Sequence, residues 1–313
     1  MAEPIHSNEE GREFDAVTGA FSYTGKYIAR RLLATGRKVK TLTGHPNRPD
    51  PFDRRVSVAP LDFDNPERLV ASLRGAATLY NTYWIRFERG PFTFAQTVEN
   101  SRILFCAARD AGVRQVVHIS VSNPSAASRL PYFRGKAAAE EAAMASGMTY
   151  AILRPTVVFG EEDILINNIA WLLRKFPVFA IPGSGDYRLQ PIFAEDVADL
   201  AVRAGRQKEN TVSDAAGPDI FTFEEMVRLI ACTIGSGARI VHMNPGMVYV
   251  ACRFLCVGLR DALLTRDEIA GLMANLLVSA QPPSGRTRLG DWLLRNSYRL
   301  GTRYASELAR HFR

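Results

Sequence analysis

Through the first half of the chain, short runs of β-branched and apolar residues alternate with stretches whose apolar positions recur at helical spacing. This pattern predicts strands at 16–18, 39–43, 56–60, 78–81, 116–120 and 150–153, with helices between them at 24–35, 66–73, 94–111 and 131–146. Asn65 followed by Pro66 supplies an N-cap and a proline at the first helical position, and Gly147 ends the alanine-rich fourth helix. Strands alternating with helices of this length imply an α/β fold with a parallel sheet and crossover helices. Beyond Gly160 the pattern is less regular. Gly/Pro turns fall at 182–185, 217–218 and 282–283, and capping boxes at Thr222…Glu225 and Thr265…Glu268 open helices. The expected organisation is one domain over 1–160 and a smaller, mainly helical region over 161–313, with part of 190–206 returning to the first.

The strand-to-helix turn at 14–26 is the most informative segment. Gly19 lets the chain turn off the first strand, and Gly25 lets the following helix pack closely on the sheet. An anion such as a pyrophosphate is favoured at the helix N-terminus by unpaired N–H groups and the helix dipole. The middle position is Ser22 rather than glycine, so the spacing is Gly-x-x-Ser-x-x-Gly, with a hydroxyl able to donate there. In this context the fold class is a Rossmann-type, doubly wound parallel sheet.

At 313 residues and 47% hydrophobic, the chain can bury a full core. Residues 1–13 are polar with no apolar core, so no secretory leader is expected. The most apolar stretch, 247–264, is interrupted by Arg253, Arg260 and Asp261; it reads as a helix covering pocket or core, not an integral membrane segment. Cys106, Cys232, Cys252 and Cys256 lack paired ligand spacing and read as reduced core residues of a cytoplasmic protein. The five histidines are scattered, so no metal is expected. A net charge of +7 suits an anionic ligand, with no nucleic-acid signature. The arginine-rich tail from 285 reads as a solvated helix face, with docking to an acidic partner left open.

The strand ending at Thr43 lacks an acidic residue to accept a ribose 2′-hydroxyl; His45 and Arg48 follow instead. Arg48 would pair with a 2′-phosphate, so NADP(H) is expected over NAD(H), which stays open. Tyr132 and Lys136 stand four apart on the helix that Pro131 opens, hence on one face. A tyrosine keeps its proton to pH ~10, and a neighbouring ammonium favours the phenolate. Ser122, after the preceding strand, would hydrogen-bond the substrate oxygen. Ser122, Tyr132 and Lys136 are therefore the catalytic candidates.

Taken together, these residues resemble extended or atypical short-chain dehydrogenases/reductases, close to NmrA-type proteins and the NADPH-binding accessory subunit of respiratory complex I. The resemblance rests on Gly19…Gly25, Asp62, Asn81-Thr82-Tyr83, Asn100, Ser120/Ser122, Tyr132…Lys136, the segment 154–160 and Pro191…Asp196. It covers about the first 220 residues. It implies that Asp62 contacts an adenine and that Asn81, Thr82 and Tyr83 line the cofactor groove. It further implies that Pro155, Val157 and Val158 border a nicotinamide, and that Lys136 holds its ribose while supporting Tyr132. Tyr23, Thr24, Phe63 and Ser120 complete the expected cofactor set.

For the substrate, Trp84 and Arg86 follow the fourth strand, while Asn167, Trp171, Tyr187 and Arg188 come from the second half. Aromatics flanking arginines suit an apolar or aromatic small molecule bearing a carbonyl or anionic group. The expected activity is hydride transfer between nicotinamide and a carbonyl or hydroxyl carbon, with Tyr132 as acid and base. A non-catalytic NADPH-binding scaffold or redox sensor stays open, as do a nucleotide-sugar epimerase using Arg188 on a diphosphate, and a homodimer.

Overall fold

The computed structural model describes residues 14–259, 261 and 264–308. The leader expectation for 1–13, Arg260, and the last two tail arginines lie outside them. The first half runs β1 (Phe14–Thr18), α1 (Tyr23–Ala34), β2 (Val39–Thr43), β3 (Val56–Pro60), α2 (Pro66–Leu73), β4 (Ala76–Asn81), α3 (Phe94–Asp110), β5 (Gln115–Ile119), α4 (Pro131–Met144) and β6 (Thr149–Pro155). The second half continues with β7 (Val157–Phe159), α5 (Leu165–Lys175), β8 (Val178–Pro182), β9 (Arg188–Leu189), β10 (Pro191–Phe193), α6 (Ala194–Ala204), β11 (Thr211–Ala215), β12 (Phe221–Thr222), α7 (Phe223–Thr233), β13 (Arg239–Met243), α8 (Pro245–Leu259), α9 (Arg266–Met273) and α10 (Leu289–Asn296).

Seven parallel strands form the main sheet in the order β11-β6-β5-β4-β1-β2-β3, a doubly wound Rossmann arrangement. Its central strands are buried on both faces, so they read as continuous apolar runs. One face packs against α1 and α6, the other against α2, α3 and α4. Asn65 accepts a hydrogen bond from the Arg68 amide at 3.0 Å, as the sequence predicts for the start of α2. Gly147 has φ +79 where the chain leaves α4, and both capping boxes are formed.

The second half differs from the expectation in two ways. The return to the sheet does not end at 206: β11 adds a seventh strand beside β6. Three two-stranded sheets (β7 with β10, β9 with β12, β8 with β13) also lie among the helices. Strands of two to five residues carry too little periodicity to be told from turns. The helices and several of these short strands share one core, centred on Ile166, Ile181, Met226, Val227, Ile230 and Leu293.

Two of the four cysteines are not core residues. Cys106 and Cys232 lie on the outer faces of α3 and α7 and are exposed, whereas Cys252 is buried. Among the described residues no helix is long and apolar enough to cross a membrane. α8 packs through Val248 and Cys252 and exposes Phe254.

Candidate active site

A cavity of about 620 Å³ lies over the C-terminal ends of β1, β4, β5 and β6. It begins at the N-terminus of α1, with Ser22, Tyr23 and Thr24, and ends between β4's following loop and α9. Gly19 adopts φ +64, a left-handed conformation that suits glycine. A β-carbon on Gly25 would overlap the Gly19 carbonyl oxygen and stand 2.8 Å from its carbonyl carbon. This close approach brings the first turn of α1 down onto the loop. No side chain caps that turn and it holds no acidic residue, so its amides suit an anion. The Ser22 hydroxyl is spent locally, donating to Gly19 O at 2.9 Å. A backbone cradle that a single methyl would fill fits the pyrophosphate of a dinucleotide.

Around that cradle the expected cofactor residues separate into two groups. Thr82, Ser120, Lys136, Pro155, Val157 and Val158 line the cavity. Asn81 is fully buried beneath it: it accepts from Thr18 Oγ1 at 3.1 Å, and its Nδ2 meets His118 Nδ1 at 3.0 Å. Thr18 in turn accepts from the amides of Thr82 and Tyr83. Asn81 therefore shapes the groove from below. Burial, then the nearby Lys136, pushes His118 down to about 3, so it stays neutral. Tyr83 accepts from Asn100 at 2.8 Å and packs on Phe63. Asp62 pairs with Arg68 at 3.3 Å, outside the cavity at the end of β3. His45 and Arg48 stand after β2, also outside it, and burial followed by Arg48 lowers the His45 pKa.

Tyr132 lines the cavity from α4, its ring edge-on to Trp84 and Phe94. Arg154 holds Glu140 of the same helix through a two-pronged bond, 3.0 and 2.6 Å, which locks α4 to β6. Ser122 is not at the cavity. It is fully buried and donates to Leu276 O at 2.7 Å, because the strand direction carries the chain beneath the 276–278 segment. The serine hydroxyl that faces the cavity is Ser120, two residues earlier, and it hydrogen-bonds to no described residue.

The electrostatics also depart from the expectation. The Lys136 ammonium is not hydrogen-bonded to the Tyr132 hydroxyl. Its Nζ donates to Ile119 O at 3.0 Å and lies 4.5 Å from the Trp84 ring centre. Burial drives its pKa down to about 7, partly offset by Glu140. Burial raises the Tyr132 pKa, and Glu268 adds to this; Arg86 opposes, and Glu307 raises it further.

Lys136 carries a stability prediction. Its unfolded value is the ordinary 10.5 and its folded value about 7, so between these the unfolded chain binds more protons. Stability of the cofactor-free protein is expected to rise from pH 7 to pH 10 through this group. In Lys136→Met, urea midpoints across that range should lose this component of the slope; an unchanged slope would show that Lys136 is not desolvated.

Of the substrate candidates, Trp84 and Arg86 line the cavity. Four others do not. Asn167 ties down the C-terminal segment through Gly301 N and Arg303 O. Trp171 packs on Phe176 and Tyr304. Tyr187 is a core residue stacked on Phe223, and Arg188 is an exposed residue of β9 whose amide binds Asn275. The opposite wall comes instead from Leu264, Glu268, Leu272 and Glu307. Glu268 was visible only as a capping-box residue; nothing local marked it as facing Arg86.

The model of the NAD dependent epimerase/dehydratase family matches residues 16–216. The chain belongs to this family. For an epimerase/dehydratase-family chain, the match covers the main sheet through β11 and leaves out α7–α10. It is 24% identical over 238 residues to NADH dehydrogenase (ubiquinone) 1 alpha subcomplex subunit 9, mitochondrial, of Arabidopsis thaliana; this is 72% of the chain and 59% of that protein, so the chain spans about three-fifths of that relative. It is 26% identical over 246 residues to the ceramide reductase of Caulobacter vibrioides, 76% of each. The fold is shared with Citrobacter sp. triphenylmethane reductase complexed with NADP(H), at TM-score 0.73 and 17% identity over 91% of the chain and 99% of that structure. A Staphylococcus aureus nucleoside-diphosphate-sugar epimerase overlays with TM-score 0.72, at 17% identity over 90% and 99%.

Proposed function

We propose that this family member is an NADP(H)-dependent oxidoreductase of the short-chain type, acting on a carbonyl or hydroxyl carbon of a small molecule. The observation that carries the reading is that Ser120, Tyr132 and Lys136 line one cavity that also reaches the first turn of α1. A bound nicotinamide supplies or accepts the hydride. Ser120 holds the substrate oxygen by donating its unspent hydroxyl. Tyr132, which burial keeps protonated through the neutral range, donates its proton to that oxygen in reduction and takes it back in oxidation. Lys136, buried and titrating near neutrality, holds the cofactor ribose. The aromatic wall of Trp84, Phe94 and Phe133 excludes water from the reacting carbon. That a ceramide reductase is among the relatives supports a reductase.

A cofactor-binding role without turnover is the second reading. It is favoured by the seating of Lys136 on Ile119 O and Trp84 rather than beside Tyr132, and by the complex I relative. NADPH oxidation with a panel of ketones and aldehydes decides between them. Nothing favours a nucleotide-sugar epimerase through Arg188, which lies outside the cavity.

NADPH is expected to bind at least tenfold more tightly than NADH. The Asp50 carboxylate, the acid nearest β2, accepts from the amides of Phe52 at 2.8 Å and Arg54 at 2.7 Å, so it is held away from a 2′-phosphate. Arg48→Ala should remove most of the preference in a fluorescence titration at moderate salt. Equal affinity for the two cofactors in the wild-type protein would contradict this reading.

A further inference from the structure

The far end of the cavity holds an arginine whose charge is already answered. Arg86 donates through Nε to Glu268 and through Nη1 to Glu307 Oε2 at 3.2 Å. Both carboxylates are built into the fold. Glu268 is the third residue of α9 and closes its capping box: it accepts from the Thr265 amide at 2.8 Å and from the Thr265 hydroxyl at 2.9 Å. Glu307 is almost wholly buried. Its segment is pinned by Asp261, which accepts from the amides of Glu307 at 2.9 Å and Leu308 at 2.8 Å and from the Tyr304 hydroxyl at 2.7 Å. Among the described residues two carboxylates face this one guanidinium, and Asp267 and Glu88 stand at the cavity rim. The remaining surface there is apolar, formed by Phe87, Leu130, Leu264 and Leu272.

We propose that the Arg86–Glu268–Glu307 cluster is a charge filter: the site takes apolar carbonyl compounds without an anionic group, and refuses carboxylated or phosphorylated ones. This rests on the reading of the cavity as a carbonyl-reducing site. An arginine in a substrate pocket ordinarily recruits an anion through its planar fork. Here two donors of the fork are taken by carboxylates held in place by α9 and by the C-terminal segment. An incoming carboxylate would have to displace one of them and then sit beside both, with water excluded and the repulsion poorly screened. An uncharged ketone displaces neither carboxylate and can lie against the apolar surface of Phe87, Leu130, Leu264 and Leu272, with its oxygen toward Ser120 and Tyr132. Specificity is thus set partly by residues 264–307, beyond the part of the chain that the family model matches.

The test is a matched pair of ketones, acetophenone and 4-acetylbenzoate, titrated calorimetrically into the wild-type protein in the presence of NADPH. The wild type is expected to bind acetophenone at least tenfold more tightly. In Glu268→Gln/Glu307→Gln, where the glutamine at 268 keeps the capping box and Arg86 loses both counter-charges, 4-acetylbenzoate should gain at least tenfold and the order should close or invert. Should the double variant fail to melt cooperatively, Glu307→Gln alone, in which Glu268 still pairs with Arg86, should move the ratio the same way by a smaller factor. Equal binding of the two ketones to wild type, no binding of acetophenone, or a ratio unmoved by the variants overturns the filter. NADPH affinity and ketone-dependent NADPH oxidation read the oxidoreductase assignment separately, so a failure of the filter is told apart from a failure of that assignment.

Discussion

Tyr132→Phe is expected to lower turnover by about 10²–10⁴-fold, the usual contribution of a positioned acid or base, while NADPH affinity stays nearly unchanged. Phenylalanine keeps the ring, whose edge-on contacts with Trp84, Phe94 and Phe133 hold this part of α4 in the cavity wall. It removes only the hydroxyl, which makes no side-chain hydrogen bond among the described residues, so no buried partner is orphaned. Ser120→Ala should be milder than Tyr132→Phe, since it removes a hydrogen bond but no proton. Ser122→Ala should act on stability through the lost bond to Leu276 O and leave the substrate KM in place. Wild-type turnover by Tyr132→Phe would rule out the short-chain mechanism and require another acid. Absence of turnover in the wild-type protein, with tight NADPH binding, would instead support the cofactor-binding reading.

Gly25→Ala is expected to cost about 3 kcal/mol, at the upper end of what overpacking costs, and to weaken NADPH binding at least tenfold. The added carbon would overlap a backbone carbonyl, which has no rotamer to move into, so α1 must back away from the Gly19 turn. That displacement takes the helix's first-turn amides with it. The same substitution at Gly290 is the contrast. It lies in α10 with nothing within 4 Å of the added carbon, and there alanine should stabilise by roughly 0.5–1 kcal/mol. Thermal melts of the two variants, with and without NADPH, give opposite signs on this account. A Gly25→Ala protein with wild-type melting and cofactor affinity would mean that the cradle is not under this constraint.

The order of strands and helices through 155, the dinucleotide turn, and the helix carrying Tyr132 and Lys136 were all legible in the sequence. Each is written in a window of a few residues: period-two or continuous apolar runs, caps, and glycines at the ends of a turn. Even so, the local reading chose Ser122 where Ser120 faces the cavity, because which residue after a strand end points inward depends on how the next segment crosses it. Trp171 and Tyr187 show the same limit from the other side. An aromatic residue reads alike whether it packs the fold or lines a pocket: Tyr187 fills the core, and Trp171 is half-buried against Phe176 and Tyr304.

What the sequence by itself determined was the α/β class, the glycine-bounded turn between β1 and α1 and the spacing of a tyrosine and lysine on one helical face, since these are properties of neighbours along the chain. What only the tertiary structure decided was the company those residues keep. The bonds from Arg86 to Glu268 and Glu307 span 182 and 221 residues, and Lys136 is bound to a carbonyl 17 positions upstream rather than turned toward Tyr132. The Arg86 bonds form only when the C-terminal segment folds over the strand ends, and the Lys136 bond only when α4 packs on the end of β5. Burial there, with the charges it brings together, sets the proton affinities of the cavity's side chains.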